Sequence, residues 1–76
     1  QTVHGLVREV KSSSLLEFEA MIVEDANGKE WSVENRGSTP PGFTPSHLRE
    51  HMVLGLPLLV TFHQENDVWI LDEISD

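Results

Sequence analysis

The stretch that decides the fold is Phe43 to Gly55, which reads FTPSHLREHMVLG. Thr44 can cap a helix through its hydroxyl, and Pro45 suits the first helical position. Phe43 is placed to pack on Leu48 across the cap, and Gly55 is a typical helix stop. The segment therefore predicts a short, well-capped helix that ends at Gly55.

Alternating apolar residues on both sides of this helix predict five β-strands. Gly5 in the first strand indicates a bulge or a tight bend. A polar serine segment separates the first two strands, and a proline-containing loop from Arg36 to Gly42 precedes the helix. The strand candidates are Thr2 to Val10, Leu16 to Ile22, a strand containing Trp31 and Val33, Leu58 to His63, and Val68 to Ile74.

Two turns set the expected registers of the sheet. Asn27-Gly28 predicts a two-residue hairpin loop, which would pair Ile22 with Val33 and Glu24 with Trp31.

The second turn lies at residues 65–67. A loop of even length there would place Phe62, Trp69 and Leu71 on one face, whereas an odd length would place Ile70 inside. The even length is favoured because two-residue loops are the commonest hairpin connection.

Five strands with a helix between the third and fourth predict a single all-β domain, a small five-stranded barrel. A true helix at that position favours an OB-like barrel, and an SH3-like barrel is the alternative. The predicted core is Val7, Phe18, Ile22, Val33, Leu48, Val60, Phe62 and Leu71.

The chain resembles the small extracytoplasmic bacterial barrels that include the CusF-type copper chaperones and related domains of unknown function. The stretches that carry the resemblance are Gly5 to Val10, Asn27-Gly28-Lys29, Leu48 to Gly55 and Leu58 to Ile74. The resemblance implies an OB-like barrel and an extracytoplasmic location. It does not supply copper ligands, because the family's closely spaced methionine pair and its histidine have no match beside Met21 and Trp31.

Composition excludes several classes of function. The 76 residues contain no cysteine and carry a formal net charge of -8. Thiolate sites are therefore absent, and the charge opposes binding to nucleic acid or anionic lipid. The longest apolar run, Met52 to Phe62, is too short to span a bilayer. A basic protein or peptide partner suits this charge best.

Catalytic motifs find little support in the sequence. Neighbouring carboxylates such as Asp72 and Glu73 point to opposite faces of a strand and cannot act as a pair. Trp31 and Trp69 could stack on bases, but the apolar residues Val33 and Leu71 that share their faces favour the barrel core. We therefore expect a non-enzymatic, monomeric binding or accessory module without a cofactor, which contacts a protein or peptide.

The alternative function is the handling of copper or zinc through His47 and His51. These residues are four apart on the predicted helix, so their imidazoles lie on one face, expected to be exposed, and Glu50 or His63 could add a third ligand. Two imidazoles alone predict at most weak binding, lost below about pH 6 as the rings protonate.

Overall fold

Five strands and one helix follow one another in the computed structural model, which describes residues 1–37 and 42–76. The loop predicted from Arg36 to Gly42 falls largely on residues 38–41, which lie outside the described residues. The elements are β1 (Thr2–Ser12), β2 (Phe18–Glu24), β3 (Glu30–Glu34), α1 (Pro45–Leu54), β4 (Leu58–Glu65) and β5 (Val68–Ser75).

The strands form a closed barrel in the order β1-β2-β3-β5-β4. The first half of β1 pairs with β4 and its second half pairs with β2, so β1 closes the barrel. β3 and β5 pair in parallel, and the other neighbours are antiparallel. The prediction of a small all-β barrel with one short helix is confirmed.

The helix has the ends that the sequence predicts. The Thr44 hydroxyl accepts a hydrogen bond from the His47 amide, and Pro45 occupies the first turn. Gly55 ends the helix in the left-handed region at φ 68°, where a residue without a side chain is favoured. Leu48 is fully buried, and Met52 packs against the core, as predicted.

The core lies inside the barrel and is capped by α1, which packs on β1. Six of the eight predicted core residues are buried, namely Val7, Phe18, Val33, Leu48, Val60 and Phe62. The core also contains Val3, Met21, Val23, Trp31, Leu58 and Ile74, which the predicted list omits. At its centre the Trp31 ring lies 5.4 Å from that of Phe62.

The predicted inward face of β2 is correct at Phe18 but wrong in the second half of the strand. Met21 and Val23 are buried, Ile22 is only half-buried outside the core cluster, and Leu16 is 72% exposed. The cause is the register with β3, in which Met21 rather than Ile22 pairs with Val33. A shift of one residue moves every side chain of a strand to the other face.

The Asp25 side chain explains this register. Its carboxylate accepts hydrogen bonds from the Asn27 and Lys29 amides, and the Asp25 amide donates to the Lys29 carbonyl. The loop is therefore one residue longer than Asn27-Gly28 alone, with Gly28 at φ 81°. The Trp31 Nε1 donates to the same carboxylate at 3.0 Å, which lowers the pKa of Asp25.

The second hairpin has the predicted even-length loop. Glu65 pairs with Val68 across Asn66 and Asp67, which both have positive φ. Trp69 packs against the core, as does Leu71, a predicted core residue that is only half-buried at its edge. Ile70 is buried but lies outside the core cluster.

Gly5 lies where β1 passes from β4 to β2, while the irregularities of β1 come later, at Arg8 and near Ser12. A Cβ atom at Gly5 would stand 2.4 Å from the Glu24 carbonyl oxygen. This contact with backbone requires the two strands to move apart, which explains why glycine fits here better than any other residue.

We expect Gly5→Ala to lower the free energy of unfolding by about 1–3 kcal/mol because the added methyl group overpacks the β1–β2 interface. Gly37→Ala is the matched control, since nothing lies within 4 Å of a Cβ at Gly37. Urea denaturation measures both, and equal effects of the two substitutions would contradict the close approach at Gly5.

Candidate metal centre

His47 and His51 lie one turn apart on α1, and their rings stack with centroids 4.8 Å apart. The expectation that both are exposed is wrong. The side chain of His47 is 33% exposed, whereas His51 is buried. His51 is buried because its ring lies against the turn that follows α1, where it contacts the Leu56 carbonyl oxygen.

Three possible ligand atoms converge beside these rings. The Nε2 atoms of His47 and His51 are 3.0 Å apart, and the Oδ1 atom of Asp76 lies 3.0 Å from His51 Nε2 and 3.4 Å from His47 Nε2. Ligands bound tetrahedrally about 2.0–2.2 Å from a zinc ion are separated by roughly 3.3 Å. The three atoms therefore already have the mutual spacing of a metal-ligand set.

The His51 ring is oriented by the backbone. Its Nδ1 atom is 3.1 Å from the Leu56 carbonyl oxygen, to which it donates a hydrogen bond. A proton on Nδ1 leaves the lone pair of a neutral ring on Nε2, which faces His47 and Asp76. Metal-binding histidines commonly make such a second hydrogen bond, because it fixes both the tautomer and the ring orientation.

The His47 ring is held by packing. The Phe43 ring stacks on the His47 ring with their centroids 5.0 Å apart. The His51 ring also stacks on His47. Phe43 therefore supports the more exposed imidazole. It also packs against the core cluster that includes Leu48, the residue with which the sequence predicted a contact.

Asp76 is the ligand that sequence reasoning missed. It follows β5 directly, and Ser75 pairs with Leu59 near the start of β4. Because β4 begins shortly after α1 ends, this pairing places the end of β5 close to the C-terminal end of α1. The strand register is the only signal that could have found Asp76, because it lies 25 residues from His51 in the sequence.

The proposed third ligands from the sequence are not part of this group. Among the described residues, one group of three possible metal ligands is found, and it contains neither Glu50 nor His63. The His63 Nδ1 atom is 2.7 Å from Asp72, and its Nε2 atom contacts Glu65. Because the two carboxylates lie on opposite ring nitrogens, they cannot join His63 around one ion.

His63 provides a separate prediction of pH dependence. Its contacts with Glu65 and then Asp72 raise the pKa of His63 above its usual value in the folded protein. A raised folded-state pKa contributes stability below the unfolded value of about 6.5, and this contribution is lost as pH rises through the folded pKa. We expect the stability difference between the wild type and His63→Gln to be larger near pH 6 than near pH 9.

Urea denaturation at both pH values measures this difference, with Gln64→Ala as a control on the same strand. A difference that grows toward alkaline pH would contradict the ion-pair arrangement around His63.

The tryptophans do not form a paired stacking surface. Trp31 is buried and its Nε1 is bonded to Asp25, while Trp69 packs edge-on against it at 5.4 Å. The prediction that these residues belong to the barrel core agrees with this packing.

Comparison of the chain with protein-family models, with curated proteins and with solved structures finds no match in any of the three. In the described ranges, no helix has the length and apolar character needed to cross a membrane.

Proposed function

We propose that this protein is a small, non-enzymatic β-barrel that binds a divalent transition-metal ion through His47, His51 and Asp76. The observation that carries the proposal is the convergence of two imidazole nitrogens and one carboxylate oxygen within 3.0–3.4 Å of one another. The hydrogen bond from His51 Nδ1 to the Leu56 carbonyl supports it, because it presents His51 Nε2 as a ligand.

The chemistry of the three ligands restricts the choice of metal. Imidazole suits Zn²⁺, Cu²⁺ and Ni²⁺, while Mg²⁺ and Ca²⁺ prefer all-oxygen sites. A set of two nitrogens and one oxygen therefore favours the transition metals. The third ligand also raises the expected affinity for the metal, because the weak binding predicted from the sequence assumed only two imidazole ligands.

The fold supports an OB-like interpretation of the barrel. The strand order, the parallel β3–β5 pair and the helix between β3 and β4 agree with this interpretation. The resemblance of the sequence to CusF-type barrels concerns the architecture and not the ligands. The proposed site differs from that family's, because it uses no sulfur ligand.

We expect wild-type protein to bind one Zn²⁺ or Cu²⁺ ion per chain, and both His47→Gln and Asp76→Asn to weaken binding by at least about tenfold. Each variant removes one ligand at a partly exposed position, so folding should be preserved. Isothermal titration calorimetry of the metal-free protein measures the affinity.

The matched control is His63→Gln, which removes a histidine from the barrel surface while leaving the three ligands in place. Equal affinities for the wild type, His47→Gln and Asp76→Asn would overturn the proposal. Loss of affinity in His63→Gln alone would move the site to β4 and β5.

A contact with a protein or peptide partner is the second candidate function. Exposed leucine side chains at the end of α1 favour it, with Leu54 61% and Leu56 45% exposed. The net charge of -8 favours a basic partner over a polyanion.

A further inference from the structure

A cleft with a volume of about 110 Å³ lies on the outer face of the barrel, across β1, β2 and β3. Its lining residues come from all three strands, and none of them belongs to the proposed metal centre. They are Glu9, Lys11, Ala20, Met21, Ile22 and Ser32.

The strand register arranges the outward-facing residues of the cleft in two rows. Glu9 pairs with Ile22, which in turn pairs with Ser32, and Lys11 pairs with Ala20 in the next row. Side chains at paired positions are neighbours on one face of a sheet. Ile22, which is only half-buried, and Ala20 therefore form an apolar floor beside β1. The small methyl group of Ala20 leaves the recess in its row.

The β1 side of the cleft carries two opposite charges. Glu9 and Lys11 are both exposed and lie two residues apart, so their side chains leave the same face of the strand about 7 Å apart. Within the described part of the chain, neither side chain forms an ion pair or a hydrogen bond, whereas Arg8 on the same strand is paired with Glu24. A carboxylate and an ammonium group thus stand beside the cleft without partners among the described residues.

The volume of the cleft limits the apolar part of a ligand. A protein cavity of about 150 Å³ accommodates benzene, so a cleft of this smaller size accommodates a branched aliphatic group. It is too small to enclose an indole ring or a nucleobase. An aliphatic group is also what the floor of Ile22 and Ala20 favours, since these two side chains offer no hydrogen-bonding atom.

The two charges restrict the polar part of the ligand. A purely cationic ligand would be attracted by Glu9 but repelled by Lys11, and a purely anionic ligand would meet the reverse. A zwitterion satisfies both side chains. In a free α-amino acid the ammonium, the carboxylate and the side chain are attached to one carbon atom, so all three groups can reach a cleft of this size together.

We propose that the cleft on β1, β2 and β3 binds a free aliphatic α-amino acid of about the size of leucine. Glu9 accepts hydrogen bonds from the ammonium group, and Lys11 donates to the carboxylate. The aliphatic side chain packs on Ile22 and Ala20. This inference does not depend on the metal centre, because the two sites share no residue.

The test is a titration of the full-length, ¹⁵N-labelled chain with L-leucine, followed by the NMR shifts of the backbone amides. A chelator is present throughout, because amino acids also bind metal ions. We expect shifts centred on the cleft residues with a Kd of about 1 mM, as suits a ligand of this size. N-acetylleucine and leucinamide each lack one charge and should bind several-fold more weakly, and glycine should bind more weakly because it lacks the side chain.

Variants of the lining residues locate the site. Ala20→Leu fills the recess and should abolish the leucine-induced shifts, while Ala26→Leu is the matched control because Ala26 lies exposed in the β2–β3 turn. Glu9→Gln and Lys11→Gln keep the size of the side chains nearly unchanged, and each should weaken binding several-fold. These two variants test the proposal even if Ala20→Leu perturbs the fold.

Three results would overturn the inference. The first is the absence of shifts at about 20 mM L-leucine, or shifts that centre away from the cleft. The second is equal affinity for L-leucine, N-acetylleucine and leucinamide, which would leave only an apolar contact. The third is tighter binding of the blocked peptide acetyl-Lys-Leu-Glu-amide, which would assign the cleft to a segment of a partner protein. None of these results affects the metal centre, which calorimetry with zinc tests separately.

Discussion

Truncation of Phe62 to alanine is expected to lower the free energy of unfolding by about 3–5 kcal/mol. The Phe62 side chain is fully buried in β4, and its ring lies 5.4 Å from Trp31 and 5.2 Å from Trp69. The substitution would leave a cavity and remove both ring contacts, so the cost contains a transfer part and a cavity part.

This loss is large for a chain of 76 residues. At the usual stability per residue, the whole domain has a free energy of unfolding of roughly 4–11 kcal/mol. Phe62→Ala should therefore unfold a substantial fraction of the protein at 37 °C. Urea denaturation followed by tryptophan fluorescence measures the change, since both tryptophans lie against Phe62.

Leu16→Ala is the control for this experiment. The sequence pattern predicted that the second strand begins at Leu16, whereas this residue precedes β2 and is 72% exposed. We expect a change within about 0.5 kcal/mol there. A surface-like response at Phe62, or a large loss at Leu16, would show that the barrel is packed in another register.

The sequence predicts the elements better than their registers. The helix could be predicted because Thr44, Pro45 and Gly55 act locally, through one hydroxyl, one fixed φ and one left-handed residue. The face of β2 could not, because it depends on the Asp25 carboxylate. That side chain bonds the turn amides and Trp31 at once, and this lengthens the loop beyond Asn27-Gly28.

In the candidate site too, the sequence predicts the features that depend on local structure and misses those that depend on strand pairing. The spacing of His47 and His51 is a property of any helix, and it predicts two imidazoles close together. The burial of His51 and the approach of Asp76 depend on how β5 pairs with β4, which no local pattern encodes. Two of the three possible ligands could therefore be named from sequence, and the third required the closed barrel.

Zinc is expected to raise the thermal stability of the protein at neutral pH. An ion that binds only the folded state at a free concentration 100 times its dissociation constant adds about 2.7 kcal/mol. For a domain of this size that corresponds to a rise in Tm of roughly 10–20 °C. The gain has a structural reason, because the ion would tie α1, through His47 and His51, to the residue that follows β5.

The zinc-dependent gain should disappear as the solution is acidified to about pH 5, because protons compete with the metal for the imidazole nitrogens. The Nε2 atoms of His47 and His51 are 3.0 Å apart, so a hydrogen bond between them needs one proton there, and the metal must displace it. The contribution of His63 to folding stability has the opposite pH dependence to the zinc-dependent gain, because the His63 ion pairs stabilise the fold most at acidic pH.

Differential scanning calorimetry at neutral pH and near pH 5, with and without zinc, measures the combined effect. Asp76→Asn should lose most of the zinc-dependent rise in Tm, because it removes one of three ligands, and His63→Gln should retain it in full. The two variants thus separate the two histidine systems by their pH dependence. A rise in Tm that persists unchanged in Asp76→Asn would show that zinc stabilises the barrel from a different position, and the centre at the end of β5 would have to be abandoned.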